Sequence, residues 1–155
     1  MKVTVFKNVY EKEAPHHIQL TTALHRIQTG KSEALITEVR NGDKDKKKRL
    51  PVVLFSGEFS RRYDDALFEH SGYIVLDFDH VEIETVKTAL ITDEYVYACW
   101  VSPSGDGIKA LVQITNPERH RDHFRALIKY FDKQYGLELD ESGSNESRAC
   151  FESHD

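Results

Sequence analysis

Two aspartates separated by one residue end an apolar segment at residues 73–79, and their spacing suits metal chemistry. Alternate side chains of a β-strand lie on the same face, so we expect Asp77 and Asp79 to project together, about 7 Å apart at the backbone. Mg²⁺ and Mn²⁺ prefer oxygen ligands, and paired carboxylates at a strand end can bind such ions beside a phosphate. A solvated turn is the alternative interpretation of so short a motif.

A glycine-containing loop between two apolar segments is a second candidate site. It contains Ser104, Gly105 and Gly107 and is followed by Lys109. Glycines allow backbone N–H groups to converge on an anion, and the lysine adds a positive charge, which together suit a triphosphate. The loop lacks the complete G-x-x-x-x-G-K-[ST] pattern and leads into a strand, so it is not a Walker loop. An ordinary hairpin turn with a surface lysine is the alternative.

A third carboxylate and an arginine follow near the end of the sequence. Asp140 ends a short alternating segment at 137–140, and with Asp77 and Asp79 it would complete a set for two metal ions. Arg148 carries a planar guanidinium that suits phosphate binding. Asp140 is followed by residues of strong turn composition, so a turn residue is the alternative interpretation.

Length and composition predict one domain without strong overall affinity for nucleic acid. The chain has 155 residues, is 39% hydrophobic and carries a net charge of −5. Contacts with DNA phosphates must therefore be local, and there are two candidate sets. One is the basic run from Lys44 to Arg49, and the other is Arg121, Arg125 and Lys129 on a predicted helix. A plain solvated surface is the alternative for both.

Targeting and metal-binding motifs of other classes are missing from the sequence. No secretory segment begins the chain, and no apolar run approaches membrane length, which predicts a cytoplasmic protein that does not bind membranes. Cys99 and Cys150 are isolated and lack the spacing of a zinc site, so we expect buried thiols.

The pattern of apolar residues predicts an α+β fold with strands and helices intermixed. We expect a loop at 43–49 and a hairpin formed by 95–101 and 108–114. The other predicted strands are 2–6, 50–55, 73–79, 137–140 and 149–151. The predicted helices are 20–30, 32–41, 62–69, 84–90 and 116–136.

The order of these motifs resembles that of a known family. The strand ending in Asp77 and Asp79, the serine–glycine loop, the helix and the hydrophobic–Asp140 pair resemble the three-motif plan of the archaeo-eukaryotic primase, or primase-polymerase, superfamily. More closely, the sequence resembles the virulence-protein-E amino-terminal domain family, a divergent primase-like group, over residues 45–155. The segments that carry this resemblance are 50–51, 55–59, Arg61 or Arg62, 70–79, 102–109 and 140–155.

The resemblance implies a fold and a set of roles. The fold would be a core related to the RNA-recognition motif, with a mainly antiparallel sheet packed by helices and template DNA across the sheet. Asp77, Asp79 and Asp140 would be catalytic metal ligands for Mg²⁺ or Mn²⁺. Ser104, Gly105, Gly107, Lys109 and Arg148 would bind the nucleoside triphosphate. Lys109 stands where many primase-polymerases have histidine; a lysine neutralises phosphate but does not reproduce the hydrogen-bond geometry of imidazole.

The resemblance predicts a metal-dependent nucleotidyltransferase that acts in the replication of mobile-element DNA. We expect residues 1–155 to form a single primase-like domain of a longer chain with a downstream helicase-like ATPase. Two alternatives stay open from the sequence. One is a catalytically degenerate module that binds nucleotide or nucleic acid, and the other is a metal-dependent nuclease that uses the same carboxylates.

Overall fold

A computed structural model describes residues 1–155 and has an α+β fold with antiparallel sheets. The strands are β1 (Lys2–Phe6), β2 (His16–Gln19), β3 (Val52–Leu54), β4 (Gly57–Phe59), β5 (Leu67–His70), β6 (Tyr73–Phe78), β7 (Val96–Val101), β8 (Ile108–Gln113) and β9 (Cys150–Phe151). The α-helices are α1 (Leu20–Thr29), α2 (Glu33–Arg40), α3 (Ile83–Ile91) and α4 (His120–Tyr135). Four short 3₁₀ helices complete the list: Lys44–Arg49, Asp64–Ala66, Pro117–Arg119 and Glu141–Gly143.

The central sheet has the order β6-β8-β7 and carries the first two candidate motifs. Because side chains alternate along β6, Ile74, Leu76 and Phe78 pack against α3 and α4. Tyr73 and Val75 pack on the opposite face. Every residue of β6 is buried, which explains why this segment reads as a continuous apolar run.

The order β6-α3-β7-β8-α4, with the first strand beside the third, is that of an RNA-recognition-motif sheet without a regular fourth strand. Residues 137–140 occupy the position of that fourth strand but form no ladder. They form one backbone hydrogen bond with β6, in which the Asp140 N–H donates to the carbonyl oxygen of Asp77 at 2.9 Å. The strand predicted at 137–140 is therefore reduced to an extended segment.

A second sheet, of order β2-β1-β3-β9, covers the face of the central sheet that lies opposite the helices. Val3 of β1, Ile27 of α1 and Val53 of β3 share a buried cluster with Val75 and Leu111 of the central sheet. This packing covers much of that face, although Tyr97 on the edge strand β7 is 50% exposed. The path of template DNA across the central sheet, expected from the resemblance, stays a prediction.

Two predicted elements differ in the structure. The helix predicted at 62–69 is replaced by the 3₁₀ helix Asp64–Ala66 and strand β5, which pairs with β4 between Gly57 and His70. Strand pairing overrides the local helical pattern there. The loop predicted at 43–49 contains the 3₁₀ helix Lys44–Arg49. None of the helices combines the length and apolarity that a membrane crossing requires.

Candidate functional site

Strand register brings Asp77 and Lys109 together. The two residues are cross-strand partners on β6 and β8, so their side chains lie on the same face of the central sheet. Lys109 Nζ is 2.5 Å from Asp77 Oδ1, and only 8% of Asp77 is exposed. Lys109, which follows the glycine-containing loop, therefore forms a direct ion pair with Asp77.

Arg148 joins this pair to Asp140. Its Nη2 atom donates to Asp77 Oδ2 at 2.8 Å and to Asp140 Oδ2 at 3.1 Å. Asp140 is held in place by its backbone bond to Asp77 and by Ser142, whose hydroxyl donates to Asp140 Oδ1 at 2.7 Å. We refer to Asp77, Lys109, Asp140 and Arg148 as the carboxylate–cation cluster.

The charges of the cluster balance one another. Burial acts to raise the pKa of Asp77, but Lys109 and Arg148 outweigh it and hold the pKa below its usual value. Burial likewise acts to raise the pKa of Asp140, but hydrogen bonds from Ser142 outweigh burial. The pKa of Asp140 is therefore also below its usual value. At neutral pH two negative charges therefore face two positive charges.

Cys150 lies beside the charged end of Lys109. Burial raises the pKa of the Cys150 thiol to about 11, so at neutral pH it is uncharged. Burial acts to lower the pKa of Lys109, whereas Cys150 and Asp77 raise it, with a net increase that keeps the ammonium protonated. As expected, Cys150 is a buried free thiol, and Cys99 is half-buried.

Asp79 lies outside the cluster. Strand β6 ends at Phe78, one residue before Asp79, and His80, with a left-handed φ of 53°, follows Asp79. The Asp79 side chain is exposed and makes no ion pair or hydrogen bond. Asp79 therefore shares no partner with Asp77, and its role as a metal ligand stays a prediction.

The glycine loop satisfies its own backbone groups. The Gly105 N–H donates to the carbonyl of Ser102 at 3.0 Å, and the Gly107 N–H donates to the Ser102 hydroxyl at 3.2 Å. A Cβ atom at Gly107 would lie 2.8 Å from the carbonyl oxygen of Phe78, so this glycine permits close packing of the loop on β6. Ser104 is exposed and makes no hydrogen bond. The loop therefore does not present the converging N–H groups that the sequence predicts for Ser104, Gly105 and Gly107.

The cluster contains two converging carboxylates rather than the three predicted. Arg148 Nη2 bridges the carboxylates of Asp77 and Asp140, and these two carboxylates are the residues that would hold a divalent ion. No group of three or more His, Cys, Asp or Glu side chains is arranged to hold a metal ion. The three-carboxylate set predicted from the sequence is thus present as two converging carboxylates.

No sequence pattern indicates the residues that hold the loop before Arg148 in place. Asp64 Oδ1 accepts hydrogen bonds from the Ser147 N–H at 3.0 Å and from the Asn145 amide at 3.1 Å. These bonds fix the loop that precedes Arg148. No local pattern indicates them, since Asp64 is far from this loop in the chain.

The family described as BT4734-like, N-terminal domain matches residues 45–155, which include the whole carboxylate–cation cluster. This match spans most of the sequence, and the chain belongs to that family. No curated protein and no solved structure matches the chain.

Proposed function

We propose that the chain is a primase-like, metal-dependent nucleotidyltransferase domain that uses the carboxylate–cation cluster to bind a nucleoside triphosphate in mobile-element DNA replication. The observation that supports this proposal is the meeting of Asp77 and Asp140 on a single nitrogen of Arg148. Acidic residues from two distant segments share one cation there, which is the arrangement that a carboxylate-bound divalent ion needs.

Each member of the cluster has a role in this proposal. Asp77 and Asp140 would hold one Mg²⁺ or Mn²⁺ ion in the place of the guanidinium. When bound, that ion would neutralise phosphate charge and favour attack by a hydroxyl group. Arg148 is 27% exposed at its side chain, so it can leave the carboxylates and bind phosphate oxygens in a bidentate manner. Lys109 is less exposed and would keep Asp77 oriented.

A nucleotide- or nucleic-acid-binding module without turnover is the second candidate. One observation favours it: both carboxylate oxygens of Asp77 already accept hydrogen bonds from cations. A metal ion must displace at least one of these partners, and Lys109 stands where the resemblance expects a histidine. A helicase-like ATPase on a longer parent chain would then supply the catalytic activity.

Calorimetric titration of dATP and ATP in the presence of Mn²⁺ tests the site. We would compare the wild type with Asp140→Asn, which removes one cluster charge at a half-buried position, and with Asp79→Asn as the matched control. Circular dichroism would verify that each variant is folded. We expect Asp140→Asn to weaken metal-dependent binding at least tenfold and Asp79→Asn to leave it unchanged.

The products formed with a primed template then distinguish the candidate functions. Template-directed extension supports the nucleotidyltransferase, and binding without product supports the module without turnover. Strand cleavage without added nucleotide would instead indicate the nuclease predicted from the same carboxylates. If the wild type binds neither nucleotide with metal, the cluster is a structural ion-pair network and the proposal is wrong.

A further inference from the structure

We propose that the 3₁₀ helix Lys44–Arg49, which we call the basic helix, binds the phosphodiester backbone of a nucleic-acid strand that continues from the cluster. The identity of the partner rests on the proposed function, and its location is inferred from the structure. The basic helix contains five basic residues and one acidic residue in a chain whose net charge is −5. The basic helix is therefore a positively charged segment in a protein that is negatively charged overall.

Two of the three cations on the other candidate surface are paired with neighbouring carboxylates, and Lys129 is the unpaired third. Arg121 of α4 pairs with Asp64 at 3.3 Å and with Glu146 at 3.4 Å, and Arg125 pairs with Asp122 at 2.7 Å. Phosphate would have to compete with these carboxylates. The second sheet also covers much of the central sheet, so the basic helix is the accessible surface with the most unpaired cations.

The side chains of the basic helix are mostly free. Lys44, Lys48 and Arg49 are exposed, and none has a carboxylate partner within 4.0 Å. Lys46 makes only a 3.9 Å contact with Glu38. With three residues per turn, the cations are distributed around the helix, so several phosphates can be contacted in succession.

The basic helix is anchored next to strand β9. Leu50, directly after it, is fully buried, and Lys47 Nζ lies 5.3 Å from the ring centroid of Phe151 in β9. Arg148 is three residues before Phe151, a span of about 10 Å in an extended chain. A strand whose phosphate contacts Arg148 can therefore reach the basic helix by running along β9.

Nucleic acid fits this surface better than an anionic membrane does. Interfacial membrane helices insert apolar side chains below the headgroups. The basic helix, with sequence KDKKKR, contains no apolar residue to insert. Its interaction would be electrostatic alone, as in sequence-independent contacts with a phosphodiester backbone.

The test is fluorescence anisotropy with a labelled single-stranded DNA 20-mer, measured over a series of salt concentrations. The variant is Lys44→Ala/Lys48→Ala/Arg49→Ala, which removes exposed cations that have no carboxylate partner. The matched control is Arg125→Ala/Lys129→Ala/Lys133→Ala, which removes three exposed cations from α4. Both triple variants change the net charge equally. A difference in their DNA affinity therefore shows which surface the DNA contacts.

We expect the basic-helix variant to weaken DNA binding at least tenfold at 0.1 M salt and to reduce the slope of log K against log[salt] by about 2, for about three lost phosphate contacts. The control should change affinity less than threefold. Equal losses in both variants, no DNA binding by the wild type, or tighter binding to phosphatidylserine vesicles than to DNA would overturn the inference.

The nucleotide titration keeps this inference separate from the proposed function. If the basic-helix variant loses DNA binding but still binds nucleotide with Mn²⁺, both proposals are supported. Loss of DNA binding in that variant together with no nucleotide binding by the wild type would reject the cluster as a nucleotide site and retain the DNA surface.

Discussion

Asp77 makes polar contacts with all three other members of the carboxylate–cation cluster. It is nearly buried, its oxygens accept from Lys109 and Arg148, and its backbone carbonyl accepts from Asp140. A buried ion pair gains little net stability over apolar packing, but loss of one partner leaves an uncompensated buried charge. Asp77 is therefore a structural residue as well as a candidate ligand.

We predict that Asp77→Asn lowers the free energy of unfolding by about 3 kcal/mol or more, because Lys109 loses its partner in a buried site. Asp79→Asn, two residues along the chain, should change it by less than about 0.5 kcal/mol because Asp79 is exposed and unpaired. Urea unfolding at pH 7 measures both values. Similar losses in the two variants would contradict the difference in environment.

The pH dependence of this effect follows from the lowered pKa of Asp77. The folded pKa is below the unfolded value, so the stabilisation is present above the unfolded pKa and is lost as the pH falls through the folded pKa. The penalty of Asp77→Asn should therefore be complete at pH 7 and should shrink in acid below about pH 4.

At the scale of elements, a pair of histidines connects α4 to strand β5. His70 Nε2 lies 3.0 Å from His120 Nδ1, and the Gly72 N–H donates to His70 Nδ1 at 2.9 Å. His70 must therefore carry its proton on Nε2, and His120 must accept it at Nδ1. His120 Nε2 is buried without a partner. The contact requires both rings to be neutral.

We predict that the protein loses stability in mild acid because this contact keeps His120 neutral in the folded state. Burial lowers the pKa of His120 to about 4, although Glu146 acts in the opposite direction. The unfolded chain binds the proton near pH 6.5, so stability is complete above that pH and is lost as the pH falls from 6.5 to 4. The wild type should lose about 3 kcal/mol over this range from His120 alone, as measured by urea unfolding at successive pH values.

His120→Gln provides the control for this prediction. Glutamine keeps an acceptor for His70 and does not titrate, so the variant should show a clearly flatter dependence of unfolding free energy on pH. An unchanged slope between pH 6.5 and 4 would show that His120 does not cause the acid sensitivity.

At the scale of the whole molecule, residues 1–44 lie outside the family match but belong to the same core. Val3, Leu20 and Ile27 are buried in the cluster that covers the central sheet. Glu152, only 2% exposed, accepts hydrogen bonds from Arg26 at 2.7 Å and from Ser32 at 2.6 Å. Apolar packing and buried polar bonds thus join the N-terminal segment to the matched region.

We predict that the fragment 45–155 does not fold cooperatively. Its loss of β1 would leave β3 without a partner on one side and would expose the apolar face of the central sheet. The full chain should unfold in one transition seen by circular dichroism and by the fluorescence of Trp100, the single tryptophan, which is buried in that cluster. A native-like transition in the fragment would show that residues 1–44 form a separate unit.

The elements that the sequence predicted correctly have local causes. Strands β6, β7 and β8 and helices α3 and α4 follow from the spacing of apolar residues, which depends only on neighbours in the chain. Strands β2 and β4 were not predicted, and β5 was predicted as helix, because short strands depend on partners elsewhere in the chain.

The sequence by itself determined the α+β order and identified Asp77, Asp140, Lys109 and Arg148 as residues able to do chemistry. Only the tertiary structure decided which of them meet. The register of β6 against β8 pairs Lys109 with Asp77, Asp79 lies beyond the end of β6 without a partner, and the N–H groups of the glycine loop bond within the loop. Such contacts depend on strand register and on packing between distant segments, and the spacing of residues along the sequence does not determine either.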